Sequence, residues 1–211
     1  MIRLKYGNTN TFYVPGKPGG LLIDTDYAGT LPAFFKAMKA NHLEVDDFSY
    51  VLPTHCHPDH VGLIGELQKL GVKLLMIDTQ LAEVHFPDGI FGRDKRLRYV
   101  PIDEKQARII SCNESRKILR SIGIEGEIIS TPSHSEDSVS VVLDNGDCFV
   151  GDLEPYEYLD GYDDNPQLQK DWNLILSMNP KRILYAHTNE KVLKVTNNTQ
   201  TMKRTGRAKP C

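Results

Sequence analysis

The 211-residue chain is short of the features that mark specialised protein classes. It has four cysteines, at positions 56, 112, 148 and 211, too few and too scattered for a disulfide framework at this length. It has no apolar run beyond a handful of residues, so no segment reads as a bilayer-spanning helix. Neither sign of charge dominates. Lys and Arg number 25 against 28 Asp and Glu, a formal net charge of -3, which gives no electrostatic case for wrapping nucleic acid or lying on an anionic membrane. The amino terminus, MIRLKYGNTN, lacks an apolar h-region and does not read as a secretory signal. With the sparse cysteines this predicts a reducing, cytoplasmic setting. What is there is average: 40% hydrophobic and 25% charged residues, a globular composition that excludes disorder, collagen and coiled coil. A chain of this length buries about 70% of its unfolded surface, enough for a full core.

Along the chain, strand-like and helix-like patterns interleave. Arg3–Tyr6, Thr11–Val14 and Leu21–Ile23 read as strands separated by turn signals such as GKPGG. A helix follows with Thr30 as N-cap, Pro32 in its first turn, and Leu31, Phe34, Phe35 and Met38 on one apolar face. Tyr50–Leu52 reads as a buried strand. A second helix is predicted over Gly62–Leu70, burying Leu63, Ile64, Leu67 and Leu70 and stopping at Gly71, before a strand at Lys73–Met76. Residues 88–107 are charged and aperiodic, a loop with one short strand at most. Ser111 and Glu114 form a capping-box pattern opening a helix to Gly123. Ile128–Ser130 is a strand. Val139–Leu143 and Cys148–Val150 pair across Asn145–Gly146, the strongest hairpin signal in the chain. Leu168, Trp172, Ile175 and Leu176 predict a helix ended by Asn179–Pro180, and Arg182–Tyr185 is the last clear strand. The pattern predicts one mixed α and β domain over residues 1–190 and a loosely ordered polar tail over 191–211.

The chemistry concentrates in THCHPDH. Three of the seven histidines, His55, His57 and His60, fall within six residues, with Asp59 among them. His55 and His57, two apart on an extended segment, project to one side. Asp59 and His60 follow a Pro58 turn and reach a neighbouring locus. Imidazole nitrogen with carboxylate oxygen is the ligand set of zinc, iron or manganese. Further on, His134, Asp152 and His187 stand at strand ends. Together these are five histidines and two aspartates, enough for two metal ions. Cys56 and Cys148 flank ligands but alternate to the opposite side of their strands and read as core thiols. His42 and His85 have no partner in the pattern; His42, one helical repeat beyond Met38, reads as a cap or core-edge residue.

Asp24 after a strand, then His55-x-His57-x-Asp59-His60, then His134, Asp152 and His187 in that order: over about residues 6–190 the chain resembles the metallo-β-lactamase superfamily. The resemblance implies an α+β fold, a four-layer αββα sandwich with metals at one edge. His55, His57 and His134 would hold one metal, Asp59, His60 and His187 the other, and Asp152 would bridge. The family often has Gly where this chain has Asp26, Leu63 and Ser133, so local loop geometry departs from it. By the same resemblance the cofactors are two divalent ions, zinc first, with iron or manganese as alternatives. They would acidify a shared water for attack while Asp59, as catalytic residue, passes a proton to the leaving group.

The substrate is narrowed by what the resemblance does and does not match. Zinc β-lactamases of the best-known classes use other ligand sets, one with Cys in the place of Asp152. Glyoxalase-II-type thioesterases carry a helical domain after the last His, where only 24 residues follow here. Acyl-homoserine lactonases carry a Tyr just after the bridging Asp, and Tyr156 lies close but offset. RNase-Z-like nucleases add a basic insert; the tail residues Lys203, Arg204, Arg207 and Lys209 are a weak substitute. Flavodiiron oxidoreductases have Glu where His57 stands. The expectation is a dinuclear metal-dependent hydrolase of a small-molecule ester, thioester or lactone, with a phosphodiesterase as the alternative, no membrane partner, and nucleic acid disfavoured. The segment 154–165 holds Tyr156, Tyr158 and Tyr162 beside Asp160, Asp163 and Asp164. It is expected to line the substrate pocket, Tyr156 or Tyr158 offering a hydroxyl to the substrate carbonyl.

Overall fold

The computed structural model of the chain describes residues 1–161 and 165–193. Strands β1 (Ile2–Leu4), β2 (Thr11–Val14), β3 (Gly20–Ile23), β4 (Phe48–Leu52), β5 (Lys73–Ile77) and β6 (Arg108–Ile110) form a six-stranded sheet in sequence order. Its first three strands are antiparallel, and β3 to β6 run parallel. Strands β7 (Gly126–Ser130), β8 (Val139–Leu143), β9 (Asp147–Phe149), β10 (Arg182–Leu184) and β11 (Lys191–Val192) form a second sheet in the order β11-β10-β9-β8-β7. In it β9 and β10 are parallel and the other neighbours antiparallel. The helices are α1 (Leu31–Ala40), α2 (Pro58–Val61), α3 (Ile64–Lys69), α4 (Asp88–Phe91), α5 (Cys112–Ser121) and α6 (Pro166–Ser177).

Strand periodicity of two sorts the side chains into three apolar layers. In the first sheet Leu22, Val51, Leu74 and Met76 face α1 and α3, meeting Phe34, Met38, Ile64 and Leu67. Their neighbours Leu21, Ile23, Leu52, Leu75 and Ile77 face the second sheet and meet Val139, Val141, Phe149 and Leu184. On the far side Val142, Cys148 and Ile183 pack against Leu168, Trp172 and Ile175 of α6. Helix, sheet, sheet and helix stack in that order: the αββα sandwich, with Leu119 of α5 closing the inter-sheet core. Strands buried on both faces read as unbroken apolar runs, which is why Leu21–Ile23 and Leu74–Ile77 stand out in the sequence. Each fully buried Leu, Ile or Val contributes about 1.5–3 kcal/mol.

Several local expectations need correction. The helix over Gly62–Leu70 is broken into α2, beginning at Pro58, and α3, ending at Lys69. Leu70 falls beyond the last turn and is 45% exposed instead of buried. Phe35 is 38% exposed, because α1 buries only the narrower Phe34–Met38 line. The first strand ends at Leu4, short of Tyr6. Residues 88–107 are more ordered than their composition suggests. They hold α4 and two 3-10 turns, bury Phe91 and Ile102, and are tied down by Gln68, whose side chain pairs with both backbone groups of Asp103 at 2.9 and 3.0 Å. The Ser111 N–H donates to Glu114 as the capping box requires. Asn165 caps α6, accepting from the Leu168 N–H at 3.0 Å. Lys191 and Val192, assigned to the tail, extend the second sheet by pairing with β10; residues 194–211 lie outside the described residues. No helix among the described residues is long and apolar enough to cross a membrane.

Strands β3, β4, β7, β9 and β10 all deliver their carboxyl ends to one edge of the sandwich. Asp24, His55, His134, Asp152 and His187 each follow one of them within a few residues.

Candidate metal centre

At that edge Thr54 and His55 leave β4, and Pro58 opens α2 with its φ already set for helix. The turn of α2 lifts Asp59 and His60 away from His55 and His57, making two loci from one short motif. Ligand atoms of His55, His57 and His134 lie within 4.8 Å of one another, as do those of Asp59, His60 and His187; His55, His60 and Asp152 form a third such group linking them. His57 Nδ1 stands 3.2 Å from His134 Nε2. Asp152 faces both sides. Its Oδ2 is 3.8 Å from His134 Nε2 and 3.9 Å from His55 Nε2, while its Oδ1 is 3.3 Å from His60 Nε2 and 3.2 Å from His187 Nε2. His187 Nε2 also lies 3.2 Å from Asp59 Oδ2.

Groups behind the candidate ligands, buried at His60 and exposed at His187, fix which nitrogen faces the centre. Asp24, itself 2% exposed, lies 3.2 Å from His60 Nδ1 and accepts from the Thr54 N–H and hydroxyl, which leaves His60 Nε2 turned inward. The Asn8 carbonyl does the same for His187, facing its Nδ1 at 3.3 Å. Gly151, at φ 56°, brings the backbone before Asp152 so close to Thr54 that a Cβ would collide with the threonine side chain. Two aspartates that sequence reasoning missed anchor the ligand loops. Asp137 accepts the Cys56 N–H at 2.7 Å and the Ser135 hydroxyl at 2.7 Å, and Asp171 accepts the Ser133 N–H at 2.8 Å. No sequence signal marks either, because each acts on a backbone N–H far from it along the chain.

Electrostatically the site is built to hold positive charge. Burial, then neighbouring His60, keeps the His55 imidazole well below its ordinary pKa and therefore neutral. Burial also disfavours charge on His60, yet the carboxylates of Asp24 and Asp152 outweigh it and raise its pKa to about 10. The carboxylates of Asp152 and Asp59, each 3.2 Å from its Nε2, raise His187 to about 10 as well. Burial pushes the Asp152 carboxyl up, but the His187 and His60 contacts win and hold it below the usual carboxylate range. His55 Nε2, His60 Nε2 and Asp152 Oδ1 are buried and, among the described residues, find no hydrogen-bond partner of proper geometry. Such orphaned atoms are costly in a protein interior unless something else binds them. All three converge on the space a cation would take, so the residues fit a metal.

The remaining candidate positions separate clearly. Cys56 and Cys148 are buried in apolar layers, their thiols pushed up by burial, and neither joins a ligand group. His42 is exposed at φ 57° just past α1. His85 sits between Asp88 (2.9 Å) and Glu104 (3.2 Å) on the surface. A cavity of about 260 Å³ opens beside His134, Asp152 and His187, walled by Leu153, Pro155 and Tyr185. A second, of about 210 Å³, flanks His57 and contains Glu83, Phe86 and Glu136. Tyr156 stacks edge-on against Trp172 at 5.6 Å, and Tyr158 is 61% exposed; neither is among the residues walling these cavities. Tyr162, Asp163 and Asp164 lie outside the described residues.

The chain has sequence relatives, and its fold has parallels among solved structures. A 26% identical relative, the beta-lactamase-like protein 2 homolog of Drosophila melanogaster, aligns over 86% of this chain and 59% of its own length. A probable metallo-hydrolase of Methanocaldococcus jannaschii is 28% identical over 66% of this chain and 65% of its own. The chain thus spans about three fifths to two thirds of the length of these relatives. Among solved structures, TTHA1623 in a di-iron-bound form superposes with a TM-score of 0.67 at 20% identity, covering 91% of this chain and 94% of that one. The metallo-beta-lactamase family protein TTHA1429 from Thermus thermophilus gives 0.66 at 16% identity, over 87% and 70% of the two chains. The sequence profile of the metallo-beta-lactamase superfamily matches residues 4–187, and the chain belongs to that superfamily.

Proposed function

We propose that the protein is a metal-dependent hydrolase that holds two divalent cations. His55, His57 and His134 would bind one, Asp59, His60 and His187 the other, with Asp152 between them. The observation that carries this reading is the convergence of the buried, unpartnered His55 Nε2, His60 Nε2 and Asp152 Oδ1 on one space. A relative named as a probable metallo-hydrolase and a fold neighbour solved with two irons support it. Bound there, the cations would supply Lewis acidity towards a scissile carbonyl and a nearby water; zinc, iron and manganese all suit this ligand set.

The chain's own residues set the rest. His55, neutral by burial, is a ready ligand, whereas His60 and His187 must each give up a proton to bind a cation. Asp59, like His187, is a little over a third exposed, so its outer carboxylate oxygen can face a substrate and carry a proton to the departing oxygen or sulfur. The cavity beside His134 and His187 receives the substrate, Leu153 and Pro155 giving it an apolar wall. Among the described residues neither flanking cavity is lined by Lys or Arg, and Glu154, Glu83 and Glu136 line them instead. A polyanion would meet repulsion there, which favours an uncharged ester, thioester or lactone of a small molecule over a nucleic acid. Tyr156 and Tyr158 lie outside the wall of the His134 and His187 cavity, and either would donate a hydroxyl only to a substrate that extends past its Glu154–Pro155 rim.

The test is turnover of lactone, thioester and phosphodiester chromogens by protein loaded with zinc, iron or manganese. Hydrolysis of a lactone or thioester is expected. A preference for the phosphodiester would overturn the substrate class, and no turnover with any metal would overturn the reading as a hydrolase.

A further inference from the structure

The two ligand groups are each assembled across the sandwich, and for His187 the crossing is made by an unusual strap. The loop Gly7–Asn10, between β1 and β2 of the first sheet, reaches over to the end of β10 in the second. There the Asn10 N–H donates to the Ala186 carbonyl at 2.7 Å, and the Asn10 side-chain amide donates to the carbonyls of Tyr185 and Thr188, both at 3.0 Å. The Asn8 carbonyl faces Nδ1 of His187 at 3.3 Å. Every residue from 185 to 188 is therefore held by this one loop.

The loop in turn hangs on a buried carboxylate. Asp26, 3% exposed, accepts the Thr9 N–H through Oδ2 at 3.0 Å and the Tyr27 N–H through Oδ1 at 2.6 Å. The loop also lies hard against it, because a Cβ on Gly7 would run into the Asp26 carboxylate. Next to it, Thr25 binds the carbonyl of His60 through both its N–H and its hydroxyl, at 2.9 and 3.0 Å. The segment Thr25–Asp26 thus touches the helix carrying Asp59 and His60 with one residue and the strap to His187 with the next.

We propose that Asp26 is a positioning residue for the Asp59, His60 and His187 group. Through Thr9 and the strap it sets the distance of His187 from Asp59 and Asp152 and keeps its Nε2 turned towards them. Asp26 touches no ligand itself. Its carboxylate is suited to this because it offers one acceptor to each of two backbone N–H groups. An asparagine has only one oxygen and would set its NH2 against one of them, losing a hydrogen bond and releasing either Thr9 or Tyr27.

The inference rests on the two-metal reading above, and zinc binding separates the two. Zinc is titrated into metal-free wild type, Asp26→Asn, Asn10→Ala and His187→Ala in competition with a chromophoric chelator, with circular dichroism reporting the fold. Wild type is expected to bind two zinc ions in two steps, one of which His187→Ala removes. Asp26→Asn and Asn10→Ala should weaken that same step by about 10–100-fold, as loss of a ligand's support does, and leave the other within about threefold. Wild type binding fewer than two zinc ions would overturn the two-metal reading and this inference with it. Two zinc ions in wild type and an unchanged His187 step in Asp26→Asn would overturn only the role of Asp26, as would equal weakening of both steps in a folded variant. If Asp26→Asn does not fold, Asp26→Gly, which removes both acceptors and carries the residue the family often has there, decides by the same criteria.

Discussion

Asp137 accepts the backbone N–H of Cys56 at 2.7 Å, and together with the Val139 N–H, which donates to the Thr54 carbonyl at 2.8 Å, this hydrogen bond fastens the His55–His57 segment of the first sheet to the His134 loop of the second. Asp137 and Cys56 are 81 positions apart, and Asp137 is 2% exposed. The two bonds keep His57 within reach of His134.

Replacing Asp137 by Ala should therefore leave the Cys56 N–H buried and unpaired, at a cost of about 1–3 kcal/mol. Urea unfolding would measure it, and the His55, His57 and His134 site should lose zinc affinity in parallel. A stability change below about 0.5 kcal/mol would show that the loop is held by other means.

Asp59 is expected to act in turnover more than in folding. Asp59→Asn keeps an oxygen for the cation but can neither accept a proton nor balance charge. It should lower kcat by about a hundredfold or more on the best substrate with an unchanged circular dichroism spectrum. Turnover within about threefold of wild type would remove Asp59 from the chemistry.

The candidate ligands that the fold brings together could be picked out in the sequence because four of them share a short motif and the others stand where apolar strands end. The strands themselves were legible because both faces are buried, leaving runs such as Leu74–Ile77 with no polar interruption. The anchors were not legible. Asp137, Asp171 and Asn10 act on backbone groups far away in sequence, and a contact between residues 10 and 185 leaves no period or spacing to read. The division of the Gly62–Leu70 helix was hidden for a related reason. The break between α2 and α3 depends on the geometry of the ligand turn, which hydrophobic spacing does not record.

Metal binding should release protons. His60 and His187, with pKa values raised to about 10, are protonated at neutral pH and must deprotonate to bind, so zinc affinity should rise with pH towards about 10. The metal-free chain should show the opposite trend in stability. A pKa raised on folding from about 6.5 contributes fully below that value and is lost as pH rises through about 10. Calorimetric titration of zinc at pH 7 in buffers of different ionisation enthalpy should report about two protons released per chain; none would contradict the assignment of both histidines.

Tyr156→Phe keeps the ring on Trp172 and removes only the hydroxyl, and Tyr158→Phe removes a hydroxyl from an exposed ring. If either donates to substrate, kcat/KM should fall by about 1–2 kcal/mol while metal content stays the same. Full activity in both variants would leave the tyrosines as surface and packing residues.

Each ligand group draws from both sheets: His55 and His57 with His134, Asp59 and His60 with His187. A cation in either group is then a rivet through two layers that, away from this edge, meet by apolar packing. Removing it should unzip the sandwich from that edge inward, so amide hydrogens of β4, β9 and β10 near the ligands should exchange together, as one unit, and ahead of those in the layer between α6 and its sheet.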